Sequence, residues 1–575
     1  MDKKKIISNT IIFIFIISFI SLFKVMFGQE NTLVGVTVIT AALTLMERDL
    51  TIAPFKNFIK VLLVNLFSLL FSVLAIQNIW IGIFINFIAL FIIGYLFSYN
   101  LKKSIVVPFG LQYFFMLFYP AYGEVLFNRL LSLIFGAVFV MIVQFVVNRD
   151  RIFTTGGKIL DGISGMTLSK IRLIKENKNF HEENIKIGES INSLKRIIYD
   201  KRVQDYYLTN DASISTDILW ALERINILLD SINNLTNKEI YGSLLDDIYR
   251  EVEIIKNRDF TSSNINIFKN KMYDKEIDNY YVEEFTNLIR CLNDEFEHIS
   301  DLNRREKDSI KRDYEIPHHF HNIYIHKKNF NIDSAKVRYS IRLGIIGSIT
   351  VFLTQYFNLS EGRWMAFTIF SLIQPYSEIS KTRIKERVEG TLIGVVIVLI
   401  AFSLIKNQAA RGAILLVVGY LNPFANGYRN TIVLVTISAI ASAAITGGTI
   451  KLALYRIIFV IVGAVLTIFA DKYILPYKIK DANKYLVETY DSIIKQMIED
   501  LSKVHSDYSI RNLYLITGFI EDKMKITMFQ KEFLGAKEFL ENRKMFVNNI
   551  YDCYINMSNG NELDYNKLIN GFKLQ

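Results

Sequence analysis

What most limits the possible folds of this chain is the separation of its apolar residues from its charged ones. Two blocks, roughly residues 11–147 and 339–475, consist of long apolar runs, and the charge collects in the stretch between them and in the segment after them. About 20 apolar residues suffice for a helix to cross a bilayer, so each block reads as a set of membrane spans. The composition agrees: 51% of the 575 residues are hydrophobic and 13% aromatic, with 43 Phe against 7 Pro, which excludes disorder. Yet 21% are charged, which excludes a bare membrane bundle. Two cysteines, Cys291 and Cys553, are too few for a disulfide scaffold and read as free, reduced thiols.

Six spans are expected in each block. In the first they are Ile11–Phe27, Thr32–Met46, Phe58–Ile76, Ile79–Phe97, Ile105–Tyr119 and Leu126–Val147. In the second they are Tyr339–Phe357, Trp364–Gln374, Val388–Ile405, Ala409–Leu421, Thr431–Thr446 and Ile457–Leu475. Several are too short to cross alone, so they need polar flanks or a protein-lined interior. The blocks repeat at a constant offset of 327 residues. Asn128-Arg129-Leu130-Leu131 with Phe135-Gly136-Ala137-Val138 answers to Tyr455-Arg456-Ile457-Ile458 with Val462-Gly463-Ala464-Val465. The same offset pairs Lys60 with Arg387. An even number of spans per repeat predicts two like-facing bundles about an axis along the membrane normal. The expected fold is all-α: membrane domains at 1–150 and 336–476, with soluble helical domains at 151–335 and 477–575.

Charge sets the expected orientation. With the N-terminus inside, 22 Lys and Arg lie at the inner ends and loops, among them Lys3, Lys60, Arg342, Lys381 and Lys472. Only Arg363, Lys406, Arg411 and Lys451 fall outside. Both soluble regions are therefore expected in the cytoplasm and the chain in the plasma membrane. The first span, matching an internal one at the 327 offset, reads as a span and not as a cleaved signal. The overall charge of +10 does not mark a nucleic-acid binder, because residues 151–335 hold 27 Lys+Arg against 31 Asp+Glu. The expected partners are the bilayer, small organic anions and a second copy of the chain.

Both soluble regions show apolar residues at helical spacing, as in Ile218, Leu222, Ile225 and Leu229, with Asp211-Ala212-Ser213 as a helix start. No phosphate-binding loop, H-E-x-x-H, C-x-x-C or G-x-S-x-G occurs, so neither an enzyme nor an ATP-driven pump is expected, and no cofactor. His318, His319, His321 and His326 cluster before the second block. They read as a connector at the lipid headgroups, with Phe320, Tyr324 and Phe330 as anchors, in preference to a metal site.

The most informative stretch runs from Trp364 to Gly394. It reads Trp364-Met365-Ala366-Phe367-Thr368, then Gln374-Pro375, then Arg387-Val388-Glu389-Gly390-Thr391-Leu392-Ile393-Gly394. Pro375 ends a span, a basic loop follows, and Gly390 and Gly394 share a face suited to close helix contact. In the first block Leu63 and Phe67 stand at the positions of these two glycines. Trp, Gln-Pro, a basic loop and R-x-x-G-T-x-x-G together resemble the fusaric acid resistance protein-like (FUSC) family, which includes aromatic acid exporters and is similar to plant aluminium-activated malate transporters. The resemblance implies export of organic anions, aromatic carboxylates above all.

Arg129 and Arg456, at equivalent positions a turn or so inside the outer face, are the candidate anion-binding pair. A planar guanidinium grips both carboxylate oxygens. Lys60 and Arg387 form a second candidate pair at the inner face. Thr368, Ser371, Gln374, Thr431, Thr436, Ser438 and Ser442 are candidates to line a route or to pack helices. No carboxylate lies near mid-span, and Asp471 is the proton-coupling candidate if there is one. An inside-negative potential favours anion exit by roughly 2.3 kcal/mol per charge per 100 mV, so an uncoupled exporter is expected. The competing expectation is a non-transporting scaffold or regulator acting through its soluble helices.

Overall fold

The computed structural model describes residues 3–46, 50–51, 54–97, 105–148, 155–200, 202, 206–264, 266–271, 277–307, 309–310, 332, 334–359, 361–405, 407–444, 449–501, 507–528 and 536–558. The four clustered histidines lie outside them. No β-strand occurs among the described residues. The first block forms α1 (Lys3–Phe27), α2 (Thr32–Leu45), α3 (Pro54–Gln77), α4 (Ile79–Phe97), α5 (Val106–Phe118) and α6 (Gly123–Asn148). The middle region forms α7 (Gly157–Lys175), α8 (His181–Asp200), α9 (Asn210–Asn233), α10 (Gly242–Lys256) and α11 (Asn279–Asp301), with shorter helical turns between. The second block forms α12 (Ala335–Tyr356), α13 (Arg363–Leu372), α14 (Ser377–Leu404), α15 (Gln408–Leu421), α16 (Tyr428–Ala444) and α17 (Thr449–Tyr473). The final segment forms α18 (Ile479–Leu501), α19 (Asp507–Met528) and α20 (Ala536–Ser558).

Helices thus occupy all twelve expected positions, and among the described residues seven are long and apolar enough to cross a membrane: α1, α3, α4, α6, α12, α14 and α17. The other five run from 10 residues in α13 to 17 in α16. Of these, α2, α5 and α13 bury most of their residues inside the protein, where neighbouring helices take the place of lipid. Local chemistry sets the ends. Pro54 opens α3, where a missing N–H costs nothing. Asn78 caps α4, its side-chain oxygen accepting from the N–H groups of Trp80 and Ile81 at 2.9 and 3.2 Å. The chain leaves helical geometry after Leu372, passes Gln374-Pro375 and re-enters at Ser377, so the proline breaks the helix as its chemistry requires.

The chain divides into two compact units. One comprises Met1–Val146 and Asn329–Ala482, and holds both apolar blocks. The other comprises Val147–Lys328 and Asn483–Gln575. The middle and final soluble segments, read from sequence as separate bundles, therefore share one core. Its centre is α9, which is buried on every face between Asp211 and Ile232. Leu194 of α8, Ile289 of α11, Tyr514 of α19 and Tyr551 of α20 pack in the same cluster. Buried charge there is paired. Lys195 and Lys544 reach the two oxygens of Glu223 at 3.0 and 2.8 Å, and Tyr514 donates to the same carboxylate. Arg511 pairs with Asp217 at 2.7 Å, Arg224 with Glu284 at 3.0 Å and Lys170 with Asp230 at 2.9 Å. Both cysteines are free thiols, and burial pushes Cys553 up to about 11, which keeps it unreactive.

Candidate functional site

In the membrane unit the two blocks meet along α4 and α12, and along α5 and α13. The contact is apolar. Leu90, Ile93, Phe109 and Phe114 join Leu343, Ile346, Ile369 and Phe370 in one buried cluster. Phe114 meets the rings of Phe370 and Phe367 edge-on at 5.5 and 6.0 Å. Among the described residues, aliphatic and aromatic side chains fill this contact, and neither Arg129 nor Arg456 enters it. The arginines lie instead within their own blocks.

Arg129, on α6, is 3% exposed. Its Nε donates to Asn31 Oδ1 at 2.9 Å and one Nη to the carbonyl of Tyr119 at 2.7 Å. Arg456, on α17, is 1% exposed, and among the described residues none of its three nitrogens has a hydrogen-bond partner. Its guanidinium stacks 4.1 Å from the ring of Trp364 on α13. The reason for the difference lies one helix turn away in each block. Asn31 has an equivalent, Asn358, at the 327 offset. Asn31 is buried, whereas Asn358 is exposed in a left-handed turn at φ 47°, so it gives Arg456 nothing. Two charges act on Arg456 electrostatically, Arg387 and Glu361. The Glu361 carboxylate accepts from Trp364 Nε1 at 2.6 Å and from Arg363 at 2.8 Å.

Arg387 is 5% exposed, with its Nε unpartnered, and shares the buried face of α14 with Gly390, Thr391 and Gly394. The glycines serve close packing on α16. A Cβ at Gly390 would come within 2.7 Å of the Arg429 carbonyl, and one at Gly394 within 2.8 Å of Thr436 Cβ. Thr368 of α13 packs on Gly463 of α17. The hydroxyls of Thr368, Thr391 and Thr436 are buried without partners. Among the described residues the second block therefore buries several unmet donors: Arg387, three threonines, and Arg456 against the indole of Trp364.

Two sequence expectations take a different form. Lys60 and Arg387 do not make a matching pair, since Lys60 is exposed on α3 while Arg387 turns inward. Asp471 is held as an ion-pair partner: Arg342 of α12, fully buried, donates to its Oδ1 at 2.9 Å. Arg342 also donates to the carbonyls of Gln374 and Pro375 at 3.0 and 2.7 Å. These are carbonyls that the proline break leaves without helical donors. Gln374 turns its own amide back to the carbonyl of Ile373 at 2.8 Å, so the Gln-Pro element is structural. Sequence reasoning counted Arg342 only as an inner basic residue. Its place inside the first span of the block, with Asp471 inside the last, was the available signal. Ser442 is exposed, and Ser371 bonds the carbonyl of Thr368, so of the polar route candidates only Thr368 and Thr436 lie buried and unpartnered.

Residues 349–470 match the sequence model of the fusaric acid resistance protein-like family. That stretch contains Trp364, Arg387, Gly390, Thr391, Gly394 and Arg456. An inner membrane protein of Escherichia coli, YccS, is 22% identical over 223 residues, which is 38% of this chain and 30% of the relative. A protein of Haemophilus influenzae is 24% identical over 151 residues, 26% of this chain and 21% of the relative. A protein of Neisseria gonorrhoeae, ORF2, is 25% identical over 153 residues, 26% of this chain and 37% of the relative. The chain thus spans less than two fifths of the length of each. No solved structure matches it significantly. It is a multi-pass membrane protein whose second apolar block carries the match to the fusaric acid resistance protein-like family.

Proposed function

We propose that this protein exports small organic anions, aromatic carboxylates among them, across the plasma membrane. The observation that carries the reading is Arg456. A guanidinium buried with no ion pair or hydrogen-bond acceptor in reach among the described residues is costly by several kcal/mol, and an anion that visits it offsets that cost. Trp364 offers a flat face to an aromatic body, and Arg387 adds positive field from the same interior. The route runs through the second block, since the seam between blocks is packed with phenylalanine.

The reading includes two like-facing repeats with both soluble segments in the cytoplasm. In its support, the bounds of α12–α17 follow those of α1–α6 at the 327 offset. The α4–α12 contact also has its repeat counterpart, in which α15 meets α1 through Phe13 and Tyr420 at 5.5 Å. Membrane potential suffices as the driving force, because Asp471 is committed to Arg342.

The test is efflux of benzoate from proteoliposomes under an imposed potential. Arg456→Gln should lower flux about tenfold while the protein stays folded. Unchanged flux and selectivity would remove Arg456 from the pathway. The dry seam favours a second reading, a scaffold acting through its soluble unit, and this predicts no potential-driven flux from the wild-type protein.

A further inference from the structure

We propose that the first apolar block holds a ligand site of its own, a pocket on Arg129 for a small carboxylate with a compact apolar body. The site lies outside residues 349–470. It adds a second anion station to the export reading without depending on Arg456.

The pocket is a cavity of about 240 Å³ bounded by α3, α5, α6 and the turn leading into α6. Its wall holds Arg129, and its floor holds Leu69, Ser72 and Met116, all buried. Its mouth is at Gln77 and Tyr122, both exposed. Arg129 is a built-in cation. Asn31 and the Tyr119 carbonyl fix its Nε and one Nη, which sets the plane of the guanidinium before any ligand arrives. Neither contact is a carboxylate, and among the described residues no acid reaches ion-pair distance of it. Glu30 acts on it only through its field. The charge therefore stands uncompensated against an apolar space.

Size and lining define the ligand. An apolar cavity of about 150 Å³ takes a benzene molecule, so this one takes a six-carbon ring together with a carboxylate. Ser72 donates to the Leu69 carbonyl at 2.8 Å, so the floor has no spare donor. The single aromatic residue of the lining is Tyr122, at the open mouth. Nothing within the pocket stacks on a ring. The Arg129 site selects charge and volume, in contrast to Arg456 under its indole, and should not distinguish saturated from aromatic acids.

The test uses the full chain in nanodiscs of neutral phosphatidylcholine, with calorimetric titration of cyclohexanecarboxylate, benzoate and cyclohexylmethanol. The two acids should bind with Kd values within about threefold of each other, and the alcohol about tenfold or more weaker. Gln77→Trp, at the exposed mouth, and Ala121→Leu, in the lining, should each abolish binding of cyclohexanecarboxylate while keeping the thermal midpoint. Arg456→Gln should leave binding of cyclohexanecarboxylate intact. Equal affinity for acid and alcohol overturns the proposal, as does binding untouched by both plugging variants or lost in Arg456→Gln. Competition by added phosphatidylglycerol would assign the pocket to an acidic lipid and overturn the free acid as its occupant. Loss of flux in Arg456→Gln bears on the export reading alone, so the two fail separately.

Discussion

The soluble unit and the membrane unit treat buried charge in opposite ways. In the soluble unit Lys170, Lys195 and Arg224 each reach a carboxylate. Among the described residues of the membrane unit, three of the four buried arginines form a descending series. Arg342 has a carboxylate and two carbonyls, Arg129 an amide oxygen and one carbonyl, and Arg456 only the face of an indole. Pairing is what a structural charge needs in a low-dielectric interior. Arg342 is thus held as a structural charge, and on the export reading proposed above Arg456 is the one that an anion visits.

Substitutions can break or sharpen that contrast. The largest loss should follow Glu223→Leu, which strands Lys195 and Lys544 in the soluble core. Removing one side of a buried pair costs about 3–5 kcal/mol, and a fall in the thermal midpoint of the purified protein reads it. Arg342→Met should cost about 3 kcal/mol, since it strands Asp471 and uncaps the Gln374 and Pro375 carbonyls, and Arg342→Met with Asp471→Leu should recover part of it. Arg129→Gln should cost about 1–2 kcal/mol for its two hydrogen bonds. Arg456→Gln should cost nothing or stabilise, since it removes an unpaired charge. A midpoint that drops as far as for Arg342→Met would place Arg456 among the structural arginines.

A separate effect concerns pH. Burial, reinforced by Asp217 for Glu295 and by Glu284 for Asp552, pushes both carboxyls up to about 7. Their ordinary values lie near 4, so from about pH 4 to 7 the folded unit holds protons that the unfolded chain releases. Their contribution to stability is full below about pH 4 and is lost as pH rises through 7. The thermal midpoint should fall modestly between pH 5 and 7.5 by this route, and Glu295→Gln with Asp552→Asn should flatten the slope.

The helices were legible in the sequence because burial in lipid or protein needs continuous apolar runs, and Ile79–Phe97 is recovered residue for residue. The break at Pro375 was legible for the same local reason. Which arginine meets which acceptor was not. The 327 offset aligns Arg129 with Arg456 and Asn31 with Asn358, yet only one asparagine turns inward. A repeat fixes position along a helix and leaves open the set of the connecting turn. For that reason Lys60 and Arg387 diverge as well, one toward the exterior and one toward α16 and α17. The role of Arg342 was hidden in a count of basic residues, because its partner lies 129 positions away.

The soluble unit is completed by strands of chemistry from both ends of a long insertion: Trp220 donates to the Asn548 carbonyl, and Asp217 accepts from Arg511 and Tyr551. During synthesis α9 leaves the ribosome well before these partners exist, and an entire apolar block must enter the bilayer in the interval. Until then Asp217 lacks Arg511 and Tyr551, and Glu223 has Lys195 but not Lys544, so the domain cannot close. Maturation of the water-facing half is thereby tied to successful insertion of the second apolar block, so a chain that stalls at the membrane exposes an unfinished helix to proteolysis.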